Sequence, residues 1–123
     1  MTSAAVLTAL LAALACFQLA LALGAPLGRF AWGGQHRVLP TRMRAGSVAA
    51  IVTYAAIAVL ALDRAGTVDV LPERFSTVGM WVVLAYFVLG IAVNAASRSL
   101  PERLVMVPVT LVLSALSLLV ARG

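Results

Sequence analysis

The stretch Ala4 to Leu23, A-A-V-L-T-A-L-L-A-A-L-A-C-F-Q-L-A-L-A-L, holds no charged side chain and one strongly polar one, Gln18. Wound as a helix, about 20 such residues cross the roughly 30 Å hydrocarbon core of a bilayer. A cleaved secretory signal places basic residues ahead of a shorter apolar run. Residues 1–5 carry none, so the stretch is expected to stay in the protein as a membrane helix.

Three further windows repeat this character: Ala45 to Leu62, Val78 to Ala96 and Leu104 to Ala121. The 123 residues are 63% hydrophobic and only 11% charged, with a mean hydropathy of +1.09, which lies outside the range of soluble domains. The runs are continuous rather than alternating, which favours helices over the strands of a barrel. The expected fold is therefore all-α: an integral membrane up-and-down four-helix bundle, with helices at about 4–24, 41–62, 77–97 and 101–121 in a single domain spanning 1–123. The lone Cys16 falls inside the first window, where it has no disulfide partner and reads as a small packing residue.

The net charge of +5 rests on arginine alone. Basic residues at the ends of apolar spans set orientation and meet anionic headgroups, so no nucleic-acid partner is implied. Loop 1, residues 25–45, and the connection at 97–103 carry Arg29, Arg37, Arg42, Arg44, Arg98 and Arg103, whereas the two ends and the middle connection carry Arg64, Arg74 and Arg122. The positive-inside rule then puts those two loops in the cytoplasm and both termini outside.

Three helix starts share the pattern L-P-x-R-apolar: Leu39-Pro40-Thr41-Arg42-Met43, Leu71-Pro72-Glu73-Arg74-Phe75 and Leu100-Pro101-Glu102-Arg103-Leu104. Proline fits the first helical turn because its missing N–H would have no partner there anyway. The repeat therefore reads as helix punctuation. Within the first span, Ala4, Thr8, Ala12, Cys16, Ala20 and Gly24 form a stripe of small side chains along which another helix can approach or a second copy can pair.

No acidic or basic side chain lies deep within a span, and no pair of His, Cys or carboxylate ligands stands at metal-binding spacing, so neither metal nor cofactor is expected. The remaining polar groups are uncharged. Counting along each helix from the loop 1 side, Gln18 and Thr110 fall about 9 Å deep, Thr53 about 12 Å and Asn94 about 4 Å. These four are candidates for an intramembrane polar pocket opening toward loop 1. The competing reading is that they simply hydrogen-bond between helices.

Loop 1 supplies the second candidate site. The Gly33-Gly34 pair can present backbone N–H groups to an anion, with Gln35, His36, Arg37 and Arg42 around it and Trp32 at headgroup depth. The sequence Ala31-Trp32-Gly33-Gly34, followed after four residues by Leu39-Pro40, resembles that of small bacterial four-helix inner-membrane proteins. The resemblance covers one loop and implies no activity. The first functional expectation is a non-enzymatic protein that binds anionic lipid headgroups or a membrane partner through residues 25–45. A small homo-oligomeric transporter or channel comes second. A lipid-modifying enzyme using His36 comes third.

Overall fold

A computed structural model describes residues 2–123, and among them every regular element is helical. Four helices, α1 (Ser3–Ala22), α2 (Thr41–Arg64), α3 (Glu73–Ala95) and α4 (Leu100–Arg122), are each long and apolar enough to cross a membrane. They form an antiparallel ring in chain order. Packing is most extensive within the α1–α2 and α3–α4 hairpins and lighter between them. Only 17% to 33% of each spanning window is buried, so most of the apolar surface faces outward, as a lipid solvent requires.

The helix starts follow the proline pattern more closely than the hydropathy windows. Helix α3 begins at Glu73 rather than near residue 77. Pro72 occupies the position before it, and Glu73 lies beside the free N–H groups of the first turn, where a negative charge is favourable. Pro40 holds the same position before α2. Pro101 sits two positions further in, because Ser99 caps α4 through its side chain. Pro108 is accommodated inside α4 without ending it. Arg64 closes the far end by donating from Nε and Nη2 to the Ala121 carbonyl, at 3.3 and 3.1 Å, where the last carbonyls of α4 lack helical partners. Beside it, Asp63 accepts the N–H groups of Val70 and Leu71, both at 2.8 Å, and so fixes the α2–α3 turn.

The core is unevenly distributed. Leu7 and Leu11 of α1, Ile57 and Ala61 of α2, Met80 and Phe87 of α3, and Leu113 and Val120 of α4 form one buried cluster. Most lie in the half of the bundle away from loop 1, while Phe87 and Leu113 stand at its boundary and also line the space beneath the loop. The small-residue stripe of α1 packs at Ala4, but Ala12 and Cys16 are exposed. On the loop 1 side, Leu21, Ala31 and Leu39 make a smaller cluster that ties the loop to the α1–α2 hairpin.

The α3–α4 hairpin is out of level at this end. Asn94 Nδ2 donates to Thr110 Oγ1 at 2.8 Å, although Asn94 is the penultimate residue of α3 and Thr110 lies ten residues into α4. At 1.5 Å per residue, α4 therefore continues about 15 Å beyond that pairing, past the end of α3. Those extra turns stand beside loop 1, which contacts them through a short 3-10 turn, Gly28–Phe30.

Loop 1 is itself tightly folded. Gly28 N–H donates to the Arg37 carbonyl at 2.9 Å, and a Cβ added at Gly28 would lie 1.7 Å from the His36 carbonyl oxygen. That obstacle is backbone, so the loop must open to admit any side chain. Gly28→Ala is expected to lower stability by about 1–3 kcal/mol, the usual cost of forced overpacking, read as a reduced unfolding temperature in mild detergent. An unchanged transition would mean that the loop does not close on itself in this way.

Candidate binding site

Between the dense half of the bundle and loop 1 lies a cavity of about 360 Å³. Its polar groups come from all four helices: Gln18 of α1, Tyr54 of α2, Tyr86 and Asn94 of α3, and Glu102 and Thr110 of α4. Its roof is Phe30, Ala31 and Trp32 of loop 1. Of the eight aromatic residues in the chain, six line it: Phe17, Phe30, Trp32, Tyr54, Tyr86 and Phe87.

Three of the four residues read from sequence as a polar pocket, Gln18, Asn94 and Thr110, meet here. They are not alike. Asn94 and Thr110 bond to each other, and Thr110 Oγ1–H also donates to the Met106 carbonyl. Gln18 is different, since its Oε1 is buried with no hydrogen-bond partner. A buried carbonyl oxygen left unpaired costs on the order of 1–3 kcal/mol, so this atom is available to a donor that enters the cavity. Thr53 lies elsewhere. It is exposed, and its hydroxyl donates to the Ala49 carbonyl of its own helix at 3.0 Å, which removes its need for a partner across the bundle. Its neighbour Tyr54 is the α2 residue that faces in, close to both Gln18 and Tyr86.

The loop 1 residues divide in the same way. Trp32 lines the cavity, although 46% of its surface remains exposed. Its backbone has φ of 53°, a left-handed conformation that a bulky side chain adopts only under constraint. The constraint is visible at Gly46 on α2, where an added Cβ would meet the indole ring at 2.8 Å. Gly33 and Gly34 also have positive φ, at 76° and 73°, and Gly34 lies against the Ser99 side chain. Gln35, His36, Arg37 and Arg42 are exposed and lie outside the cavity lining. The glycine pair therefore shapes the loop while the charged residues stay on its solvent side.

Glu102 is the functional candidate that sequence reasoning passed over. Read as helix punctuation, it should lie at the surface, yet it is only 6% exposed and lines the cavity. Ser99 and Glu102 have the spacing of a capping box, in which the carboxylate would bond back to the Ser99 N–H. Here the Ser99 N–H donates to Ser97 Oγ instead, at 3.1 Å, so the carboxylate is left for the cavity. Nothing in the spacing L-P-E-R distinguishes this glutamate from Glu73, which is exposed. The overhang of α4 makes the difference, because it places the first turn of α4 beneath loop 1 rather than in open solvent.

A second hollow, almost wholly apolar, runs between α1 and α4 along Leu10, Ala13, Val105 and Leu27. It shares Leu14, Phe17, Phe30, Met106 and Val109 with the polar cavity, so the two adjoin along this seam. Among the described residues, no group of three or more His, Cys, Asp or Glu stands together as a metal centre. Comparison with family models, curated proteins and solved structures returned no match to this chain.

Two outcomes test this geometry. A double-mutant cycle of Asn94→Ala with Thr110→Val should return a coupling of about 0.6 kcal/mol, and no more than about 1.7, as for other hydrogen bonds between membrane helices. Zero coupling would separate the two side chains. In a Trp81→Phe background, which leaves Trp32 as the one indole, Gly46→Leu should displace the ring toward water, red-shifting its emission and raising quenching by iodide. An unchanged spectrum would contradict the stacking of Trp32 on Gly46.

Proposed function

We propose that this multi-pass membrane protein binds an amphiphilic molecule drawn from the bilayer, holding its head in the polar cavity and an apolar chain in the α1–α4 hollow. The observation that supports this most is the shared wall. Five residues line both spaces, so an occupant with one polar and one apolar end can fill them together. Pockets for small molecules are typically apolar with a few convergent polar groups, and volumes of about 300–1,000 Å³ are usual, a range that includes this cavity of about 360 Å³.

In this reading the contact surface within residues 25–45 is the inner face of the loop, Phe30 to Trp32. The proposed role is binding, and His36, the residue on which a lipid-modifying reading would rest, is exposed outside the cavity lining. The proposed setting is a bacterial inner membrane with loop 1 and the α3–α4 connection on the cytoplasmic side, following the six arginines gathered at that end. Exposed Arg37 and Arg42 would then meet headgroups or solvent without contributing to the cavity.

Purified protein analysed by native mass spectrometry should carry a saturable amphiphile at one per chain. Val109→Trp, which fills the shared wall, should reduce that occupancy at least about tenfold, the equivalent of losing about 1.4 kcal/mol of binding. Arg37→Gln combined with Arg42→Gln should leave it unchanged. Occupancy insensitive to Val109→Trp would remove the reading.

A further inference from the structure

The chemistry around Glu102 and Arg29 identifies the head that this cavity would take. One hydroxyl joins the two residues. Ser99 Oγ–H donates to the Arg29 carbonyl and Ser99 Oγ accepts from the Glu102 N–H at 3.4 Å, so loop 1 and the first turn of α4 are fastened at a single point. From that point the two side chains take different courses. The Glu102 carboxylate belongs to a residue 94% buried, judged from its 6% exposure, and lines the cavity. Arg29 is exposed, and its guanidinium carbon stands 4.9 Å from the centroid of the Phe30 ring. Phe30 itself lines both the cavity and the apolar hollow. A negative group therefore lines the cavity, and a positive group outside it stands against Phe30, a ring that lines the same cavity.

We infer that the occupant is a zwitterionic phospholipid whose headgroup carries a cationic nitrogen as well as the phosphate, the nitrogen meeting Glu102 in the cavity and the phosphate meeting Arg29 at the rim. This rests on the amphiphile-binding reading above and adds the charge pattern of the head. A buried carboxylate without a cation is costly, and a substituted ammonium supplies one in a form that aromatic faces also attract. Phe30 and Trp32, which roof the cavity, offer such faces. Arginine suits phosphate because its planar donor array matches the phosphate oxygens. An anionic phospholipid with an uncharged polyol head would satisfy Arg29 but would leave Glu102 facing hydroxyls with no positive charge. A simple alkylammonium would satisfy Glu102 and leave Arg29 without a partner. The zwitterion engages both, and its acyl chain continues into the hollow beside Phe30.

The test uses the full chain in nanodiscs containing phosphatidylethanolamine and phosphatidylglycerol in equal amounts with identical acyl chains, and reads the lipid retained on the released protein by native mass spectrometry. Phosphatidylethanolamine should be enriched about tenfold over phosphatidylglycerol, and phosphatidylcholine should replace it in a parallel nanodisc. Glu102→Gln should bring the ratio close to one while total lipid remains. Arg29→Gln should weaken retention of both lipids and leave their ratio in place. Equal retention of the two lipids by the unmodified protein would overturn the charge assignment and leave amphiphile binding standing. This comparison needs no variant, so it holds even where Glu102→Gln fails to fold. A ratio unmoved in a folded Glu102→Gln protein would also overturn it. Absence of any saturable lipid would instead overturn the amphiphile reading, and the charge assignment with it.

Discussion

An amide in hydrocarbon must find a partner, and Asn94 finds Thr110. That single requirement sets the level of α3 against α4, since sliding either helix by a turn would separate the two groups and leave the amide unpaired. With the level set, α4 overhangs α3, its first turn meets loop 1, and Glu102 comes to lie under the loop instead of outside the bundle. The cavity follows from the same offset. Beyond the end of α3, the space that a fourth helix would fill is bounded by a loop, and a loop fastened by Ser99 and folded tightly at Gly28 does not collapse into it.

The energetics of the two halves differ accordingly. In the half away from loop 1, Leu7, Met80 and Ala61 are fully enclosed and all four helices contribute to one cluster. Large side chains there meet small ones, and the buried polar groups that α4 contributes there are small hydroxyls, Ser114 and Ser117. On the loop 1 side, the interior is occupied by tyrosines, an unpaired glutamine oxygen and a carboxylate, none of which makes a tight apolar core. The cost of leaving those groups poorly satisfied is carried by the dense half, where burial is complete.

Much of the architecture was legible because bilayer thickness and backbone hydrogen bonding leave few choices: four apolar windows must be four helices. The L-P-x-R repeat located the starts of α2, α3 and α4 more accurately than hydropathy, which missed the first four residues of α3 because Glu73 and Arg74 are polar. The candidate cavity was less legible. Gln18, Asn94 and Thr110 are conspicuous as polar residues in apolar runs, and polarity alone brings them to attention. Tyr54 and Tyr86 are amphipathic and carry no such signal. Thr53 carries the signal but satisfies its hydroxyl within its own helix. Depth counted from each helix end also misleads, because it assumes ends at one level, whereas Thr110 and Asn94 meet despite lying at different distances from theirs. Glu102 was hidden for the same reason, since its position depends on the overhang and not on its neighbours in sequence.

On the proposed reading, the position of the apolar hollow bears on the two faces of the membrane unequally. It extends from Leu10, near the middle of α1 and packed against the edge of the dense cluster, to Leu27 and Phe30 beneath loop 1. A chain lying in it is therefore in register with the acyl chains of one monolayer only. Exchange with that leaflet requires lateral movement between α1 and α4, whereas exchange with the opposite leaflet would require crossing the midplane against closely packed side chains. On the proposed reading, the unequal distribution of the core would tie an acyl chain in the hollow to the leaflet on the loop 1 side, before any headgroup is recognised.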